Sequence, residues 1–207
     1  MPENLHKLFV ISSPSGGGKT SLINKLFEDT RSMNFKKSIS DTTRQKREGD
    51  INGRDYYFLS EKEFKSKIEK EGYVEYATVF GNFYGTSKEE IKTKYNNSNL
   101  VLELDWQGAY AVKELFDDAK LIFLVPPSLD DLKQRLIKRN LDSSIEIENR
   151  LSEAKKEISK SEMYDYLVLN DDFHKAFEDL SQILFEGISP IDFNSRASKD
   201  LIKRLVE

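Results

Sequence analysis

A glycine-rich stretch near the start of the chain constrains its fold more than any other feature. Residues 12–21 read SSPSGGGKTS, and the apolar run of residues 8–11 precedes them. A near-continuous apolar run rich in β-forming residues is typical of a strand that is buried on both faces. After the glycines, Leu22, Ile23 and Leu26 recur at helical spacing. The sequence therefore predicts a strand–turn–helix unit with the glycines in the turn.

This turn has the chemistry of a phosphate-binding loop. Glycines allow positive φ angles and a close approach of the backbone, and the N–H groups at a helix start attract anions. In a P-loop, the following lysine reaches the outer phosphates and the next hydroxyl binds magnesium; Lys19 and Thr20 hold these positions. The predicted ATP-binding residues of this stretch are Ser13, Pro14, Ser15, Gly16, Gly17, Gly18, Lys19, Thr20 and Ser21.

The stretch departs from the strict P-loop pattern at one position. The pattern G-x-x-x-x-G-K-[ST] has a glycine where this chain has Ser13. We expect serine to be tolerated there, provided that the residue does not need a positive φ angle. The alternative interpretation of the stretch is a glycine-rich turn with a solvated lysine.

Composition argues against several classes of function. The chain has 207 residues, enough for one sizeable core with an inserted subdomain. A net charge of −4 argues against general binding to nucleic acids or to membrane surfaces. The absence of cysteine excludes disulfides and zinc–thiolate sites. No apolar run reaches membrane length and the first residues do not read as a signal peptide, so we expect a cytoplasmic protein.

Four apolar runs alternate with helical patterns along the chain. They are residues 8–11, 100–104, 121–125 and 166–169. Strands that alternate with helices form parallel sheets, because each helix carries the chain back across the sheet. The sequence therefore predicts an α/β fold with a three-layer core around a parallel sheet.

Three segments differ from this core pattern. Residues 36–96 carry many aromatic and β-forming residues between glycine-containing turns, which predicts a small, mostly antiparallel insert. Residues 135–150 lie between two helical patterns and are interpreted as a mobile, helical lid. The tail of residues 186–207 ends in a short amphipathic piece, which either packs on a partner or frays.

Sequence segments in the insert and the core carry a family resemblance. Residues 38–58 read SISDTTRQKREGDINGRDYYF, residues 73–87 read YVEYATVFGNFYGTS, and residues 102–108 read LELDWQG. Together with the P-loop, they make the chain resemble the guanylate kinases over residues 6–185, with the core at 6–35 and 97–185. The resemblance implies phosphoryl transfer from ATP to GMP, with Mg²⁺ accompanying ATP, and a GMP-binding role for the insert.

The resemblance assigns the GMP site to residues of the insert and one core strand end. Two arginines would grip the phosphate, because each guanidinium can bond it bidentately, and three hydroxyls would donate to it. A carboxylate would accept from guanine N1–H and N2–H₂ while a hydroxyl donates to O6. The implied residues are Arg44 and Arg47, then Ser40, Tyr56 and Tyr84 on the phosphate, and Glu75, Thr86 and Asp105 on the base.

The same resemblance implies a metal site and a set of catalytic cations. Asp105 ends a predicted strand beside the P-loop, a place that commonly holds magnesium through water, so the implied metal residues are Thr20 and Asp105. Glu103, on the same strand, is given a lesser role. Asn170 matches an adenine contact. The implied catalytic residues are Lys19, Arg44 and the lid arginines Arg135, Arg139 and Arg150.

Three other functions remain open at this point. A guanylate-kinase-like module that binds a peptide keeps the fold but usually lacks a working P-loop. A P-loop GTPase would fit the D-x-x-G spacing of Asp105 and Gly108, but the chain has no N-K-x-D guanine signature. A nucleoside monophosphate kinase of other base specificity differs only in its base contacts. The sequence leaves the choice between monomer and homo-oligomer undecided.

Overall fold

The computed structural model of the chain describes residues 7–79, 81–139, 143–189, 191 and 195–207. The strands are β1 (Leu8–Ser12), β2 (Phe35–Lys37), β3 (Asp41–Thr42), β4 (Tyr57–Phe58), β5 (Tyr73–Val79), β6 (Asn82–Ser87), β7 (Asn99–Glu103), β8 (Lys120–Val125) and β9 (Tyr166–Leu169). The α-helices are α1 (Lys19–Glu28), α2 (Glu61–Glu69), α3 (Lys88–Tyr95), α4 (Trp106–Leu115), α5 (Leu129–Arg139), α6 (Ser144–Ser159), α7 (Phe173–Ser181) and α8 (Arg196–Val206).

The core sheet has five strands in the order β2-β7-β1-β8-β9, and all its pairings are parallel. The four apolar runs form β1, β7, β8 and β9, which confirms the predicted α/β core. The sequence missed β2, a short edge strand without a continuous apolar run. Lys36 and Lys37 pair with Leu100 and Val101 in this sheet. These two lysines of the core sheet lie at the start predicted for the insert, about residue 36.

Helices cover both faces of the core sheet. Successive residues of β1 point to opposite faces, so that Leu8 and Val10 join one apolar cluster while Phe9 and Ile11 join the other. Helices α4, α6 and α8 contribute to the first cluster, and α1 and α7 to the second. This arrangement confirms the three layers and explains why the core strands read as continuous apolar runs.

The C-terminal tail packs on its own chain. Leu205 of α8 is buried in the same cluster as Ile158 of α6 and Leu167 of β9. Lys155 Nζ of α6 also donates to the carbonyl oxygen of Glu207 across 2.9 Å. Docking on the core argues against the fraying considered from the sequence, while packing of the tail on a partner stays a prediction.

The insert contains a second sheet with the strand order β4-β3-β6-β5. Its β5–β6 and β3–β6 pairings are antiparallel and its β3–β4 pairing is parallel, so this sheet is mixed. Helices α2 and α3 were missed, although Ser60 and Glu63 form a capping box at the start of α2. Phe64 of α2 is fully buried and stacks on Tyr73 and Phe83, which gives the insert an aromatic core of its own.

The chain passes from the core into the insert after β2 and returns to the core through α3. Side chains of α3 bind the backbone of the first of these segments. Glu90 Oε1 accepts from the backbone N–H of Ile39 at 2.7 Å and from Lys94 Nζ at 2.5 Å. Lys94 Nζ also donates to the carbonyl oxygen of Lys37 at 2.9 Å. These bonds hold the segment that leaves the core after β2 to the helix α3, through which the chain returns.

The predicted lid spans the end of α5 and the start of α6. Its central residues 140–142 lie outside the described part of the chain. A capping box of Ser143 and Glu146 opens α6. Lid mobility stays a prediction. Among the described residues, no helix combines the length and apolar character needed to cross a membrane.

Candidate active site

The glycine-rich turn connects β1 to α1 in a geometry suited to an anion. Gly16 and Gly18 have φ angles of +86° and +90°, which L side chains rarely adopt. Gly18 is the N-cap of α1 and provides no side-chain cap, so the first N–H groups of the helix are available to a ligand. In the described chain, Glu71 is the non-glycine residue with a positive φ angle. Ser13 therefore needs no glycine, which is the condition set above for tolerating it.

Neighbouring side chains press closely on this loop. A Cβ atom at Gly16 would lie 3.0 Å from Leu136 Cδ2, and one at Gly18 would lie 2.4 Å from Asn170 Nδ2. Asn170 is 4% exposed, and its Nδ2 donates to the carbonyl oxygen of Gly17 across 2.7 Å. The residue proposed for adenine thus braces the P-loop in this structure.

A carboxylate other than the expected one lies next to Thr20. Thr20 Oγ1 donates to Glu103 Oε1 at 2.6 Å, and Glu103 Oε2 lies 2.8 Å from Lys37 Nζ. Burial works to raise the pKa of the Glu103 carboxyl, but the charges of Lys37 and Lys19 outweigh it and hold that pKa below its usual value. Glu103 therefore presents an ionised carboxylate to the P-loop.

Asp105 binds the start of the next helix instead of Thr20. Its Oδ1 accepts from the N–H of Gly108 at 2.9 Å and its Oδ2 accepts from Gln107 Nε2 at 3.2 Å. Asp105 is thus the N-cap of α4, and the D-x-x-G spacing is a helix start. Thr20 and Glu103 supply hard oxygen donors of the kind that Mg²⁺ takes together with nucleotide phosphates, so the residues present fit this ion.

Two buried oxygens of the insert face the core and have no partners outside their own pair. Glu75 and Thr86 are paired across β5 and β6, and Glu75 is 6% exposed while Thr86 is fully buried. Glu75 Oε1 and Thr86 Oγ1 have no hydrogen-bond partner outside this pair. Burial raises the pKa of Glu75 to about 7, although the neighbouring Thr86 hydroxyl acts to lower it. Unpartnered buried polar groups are costly, so this pair indicates a site for a hydrogen-bonding ligand.

Gly108 brings this pair against the core. A Cβ atom at Gly108 would lie 2.8 Å from Glu75 Oε2, so only glycine lets α4 approach the carboxylate so closely. Because the N–H of Gly108 also binds Asp105, one residue joins the cap of α4 to the insert. The three residues expected to read the base, Glu75, Thr86 and Asp105, therefore converge at the meeting of β5, β6 and α4.

An aromatic and cationic cluster lies beside Glu103. The guanidinium of Arg44 lies 5.3 Å from the ring centroid of Tyr56, and the rings of Tyr56 and Tyr84 are 5.8 Å apart. Burial and then the charge of Glu103 raise the pKa of the Tyr56 hydroxyl. The cluster predicted for the GMP phosphate thus lies close to the carboxylate that touches Thr20. Half-buried Ser40 accepts from the N–H of Tyr57 through its carbonyl oxygen at 2.9 Å.

Asp50, which the sequence did not single out, organises the arginine loop. Asp50 Oδ2 accepts from Arg44 NH2 at 2.9 Å and from the backbone N–H of Arg47 at 2.8 Å. The side chain of Arg47 is exposed. The carboxylate therefore holds Arg44 in place while Arg47 stays accessible to solvent.

Two of the three lid arginines reach the P-loop region. Arg150 NH1 donates to Ser15 Oγ at 2.7 Å, and Arg135 NH2 donates to the carbonyl oxygen of Asn170 at 2.7 Å. Arg139 ends α5 and is exposed. Arg135 of α5 and Arg150 of α6 are therefore brought to the P-loop region, and Arg139 is not.

Comparison with known proteins assigns the family. The family model described as guanylate kinase matches residues 5–187. The guanylate kinase of Wolbachia sp. subsp. Brugia malayi (strain TRS) is 48% identical over 184 residues, which cover 88% of this chain and 93% of that protein. The guanylate kinase of Francisella tularensis subsp. holarctica (strain LVS) is 45% identical over 184 residues, covering 87% of this chain and 97% of that protein. The chain belongs to the guanylate kinase family.

A solved structure agrees with this assignment. The crystal structure of guanylate kinase from Anaplasma phagocytophilum has a TM-score of 0.73 and 31% sequence identity, and the match covers 99% of this chain and 98% of that one. Membership of the guanylate kinase family removes the GTPase alternative, and the capping role of Asp105 explains the spacing that had suggested it. The sequence missed the contacts of Glu103, Lys37 and Asp50, since each depends on a partner distant in the chain or on loop geometry.

Proposed function

We propose that this protein transfers the γ-phosphoryl group of ATP to GMP and releases ADP and GDP. One observation carries the proposal: Lys19 of the P-loop binds the carbonyl oxygen of Leu104, just before the start of α4, and Gly108 of α4 lies against the buried Glu75. Guanine matches the pair of Glu75 and Thr86, because N1–H and N2–H₂ donate to a carboxylate while O6 accepts from a hydroxyl. Adenine lacks a donor at N1 and would leave the Glu75 carboxylate unsatisfied.

The phosphate of GMP would bind the cluster beside Glu103. Arg44 and Arg47 supply guanidinium groups that match a dianionic phosphate bidentately. Tyr56, Tyr84 and Ser40 supply hydroxyl donors around it. Arg44 is paired with Asp50 at 2.9 Å, which would hold its guanidinium in place before GMP binds.

The phosphates of ATP would lie on the P-loop. The N–H groups at the start of α1, which follows the uncapped Gly18, would face the anion, and Lys19 would reach the outer phosphates. Mg²⁺ would be held by the Thr20 hydroxyl with carboxylate support from Glu103, and from Asp105 through water. When bound, Mg²⁺ neutralises charge on the outer phosphates. Asn170 would contact the adenine while its side chain also holds the P-loop through the carbonyl oxygen of Gly17.

The chain's residues mainly position and neutralise the reactants. Phosphoryl transfer passes through a loose transition state, so neither a covalent intermediate nor a strong base is required. Lys19, Arg135, Arg139 and Arg150 would stabilise charge on the transferring group, while Arg44 holds the acceptor. Closure of the insert and of the lid would exclude water and so suppress hydrolysis of ATP.

The proposal extends to the setting of the reaction. We propose that the protein acts in the cytoplasm in purine nucleotide metabolism, since both nucleotides are available there. Its net charge of −4 is consistent with small anionic substrates bound in one cationic cleft rather than with a nucleic-acid surface. A peptide-binding module without activity is disfavoured by the complete Gly16–Thr20 stretch.

Turnover with a panel of acceptors tests the proposal. ADP formation from ATP is measured with GMP, dGMP, IMP and AMP, and without an acceptor. We expect release of ADP that depends on GMP. Absence of turnover with every acceptor would support the peptide-binding alternative, and equal use of AMP would assign the chain to another base specificity.

A further inference from the structure

Lys37 is a cation near the proposed site that has no assigned contact with either nucleotide. It ends β2 at the edge of the core sheet, and its Nζ lies 2.8 Å from Glu103 Oε2. The Lys37 side chain is 20% exposed and the Glu103 side chain 12%, so the ion pair is largely shielded from water. The neighbouring Lys36 is exposed on the opposite face of the strand.

The ion pair fixes which oxygen of Glu103 is offered to the P-loop. Lys37 holds Oε2, and Oε1 accepts the hydroxyl hydrogen of Thr20 at 2.6 Å. A hydroxyl that donates its hydrogen in this direction keeps both lone pairs for another ligand. The contact therefore prepares the Thr20 oxygen to bind a cation.

A second cation, Lys19, lies near the same carboxylate. The charge of Lys19 also acts on Glu103, although Lys19 Nζ donates to the carbonyl oxygen of Leu104 at 3.0 Å. If Lys37 lost its charge, Lys19 would be the cation left beside Glu103 in this region. Pairing of Lys19 with Glu103 would remove a positive charge from the phosphates and release the hydrogen of Thr20.

We propose that Lys37 is a positioning residue for the magnesium–nucleotide end of the site: it keeps Glu103 on Thr20 and away from Lys19. This inference rests on the proposed phosphoryl transfer at the same site. Residues that orient a group next to a metal ligand typically contribute 10- to 100-fold to metal affinity, which sets the scale of the expected effect.

The main experiment measures metal binding without turnover. Mn²⁺ is titrated into the protein in the presence of ADP, and free Mn²⁺ is followed by electron paramagnetic resonance. Lys37→Met should raise the Kd of Mn²⁺ about tenfold. Lys37→Arg keeps a cation and should lie closer to the wild type. Lys36→Met, a matched removal of a lysine from the same strand, should leave the Kd unchanged.

A double variant separates positioning from a general loss of charge. If Lys37 acts through Glu103, Lys37→Met should weaken Mn²⁺ binding little further in a Glu103→Gln background. In steady-state assays, Lys37→Met should raise the half-saturating Mg²⁺ concentration and the KM for ATP about tenfold while the KM for GMP stays within about twofold. Lys37→Gln repeats the test if Lys37→Met does not fold.

The outcomes distinguish failure of the proposed role of Lys37 from failure of the proposed phosphoryl transfer. An unchanged Mn²⁺ affinity in folded Lys37→Met or Lys37→Gln overturns the role of Lys37. A fully additive double variant, or an equal rise in KM for ATP and GMP, also overturns it, because Lys37 then acts on the fold or the hinge. A wild-type protein that binds no Mn²⁺ with ADP would instead contradict the proposed phosphoryl transfer.

Discussion

Glu75 and Thr86 face each other across β5 and β6, and each has a buried oxygen without a hydrogen-bond partner outside the pair. A fold that leaves two such atoms unsatisfied sacrifices stability at that point, because polar groups lose their water on burial. The cost is recovered when a ligand supplies the missing donor and acceptor. Base selectivity and the pH dependence of stability should therefore both depend on this pair.

Base selectivity should follow the donors that each purine offers to Glu75. We expect the order GMP, IMP, AMP in kcat/KM, because IMP lacks the amine and AMP also lacks N1–H. Loss of a required hydrogen bond in a buried site costs up to about 10⁴-fold, so AMP should fall far below GMP. We expect dGMP to stay close to GMP, since no residue is assigned to the 2′-hydroxyl. Glu75→Gln should compress the ratio, because an amide can turn either its oxygen or its NH₂ to the base. Use of AMP within tenfold of GMP by the wild type would contradict the guanine assignment.

Stability should depend on pH through Glu75. Its pKa is raised to about 7, so the folded state binds the proton more tightly than the unfolded chain. The contribution to the free energy of unfolding is full below the ordinary glutamate pKa and is lost as pH rises toward 7. A shift of this size corresponds to about 3 kcal/mol. Relative to the wild type, Glu75→Gln should therefore gain stability between about pH 4.5 and pH 7 in denaturant melts. A difference between the two proteins that does not vary with pH would contradict the raised pKa.

Lys19 should matter most in the transition state. Lys19→Ala removes the cation that reaches the outer phosphates, and we expect kcat to fall by a factor on the order of 10² or more. The melting temperature should change little, because the Lys19 ammonium binds one carbonyl oxygen, that of Leu104. Normal turnover with an unchanged melting curve would refute the P-loop assignment.

Arg44 and Arg47 should act on GMP rather than on ATP. Arg44→Lys and Arg47→Lys replace a planar fork by a point charge, so we expect the KM for GMP to rise far more than the KM for ATP. Lys46→Ala, in the same exposed loop, is the control. Equal effects of the arginine variants on both substrates would reassign these residues to a structural role.

The two carboxylates near the end of β7 should differ in their effect on magnesium. Glu103→Gln should raise the half-saturating Mg²⁺ concentration about tenfold, because Glu103 takes the hydrogen of Thr20. Asp105→Asn should raise it less, and should retain the fold, because asparagine is also a good N-cap. The reverse order would make Asp105 the main carboxylate of the metal site.

The sequence alone determined those features that depend on near neighbours in the chain. The P-loop could be predicted because glycines at 16 and 18 adopt φ angles that other residues avoid, and the strand before them is a continuous apolar run. The four strands β1, β7, β8 and β9 were predictable because each is a near-continuous apolar run. Glu75 and Thr86 were found through resemblance, since no local pattern separates one buried glutamate from the many on the surface.

Only the tertiary structure decided which distant groups meet. The sequence favoured Asp105 over Glu103 as the metal carboxylate, but the start of α4 engages Asp105 while Thr20 and Lys37, both more than sixty residues away in the chain, engage Glu103. Likewise β2 is a strand because β7 offers it an edge, and α8 is docked because the core offers it an apolar surface. Propensity and periodicity report the local backbone, whereas these contacts depend on surfaces that exist only after the chain has folded.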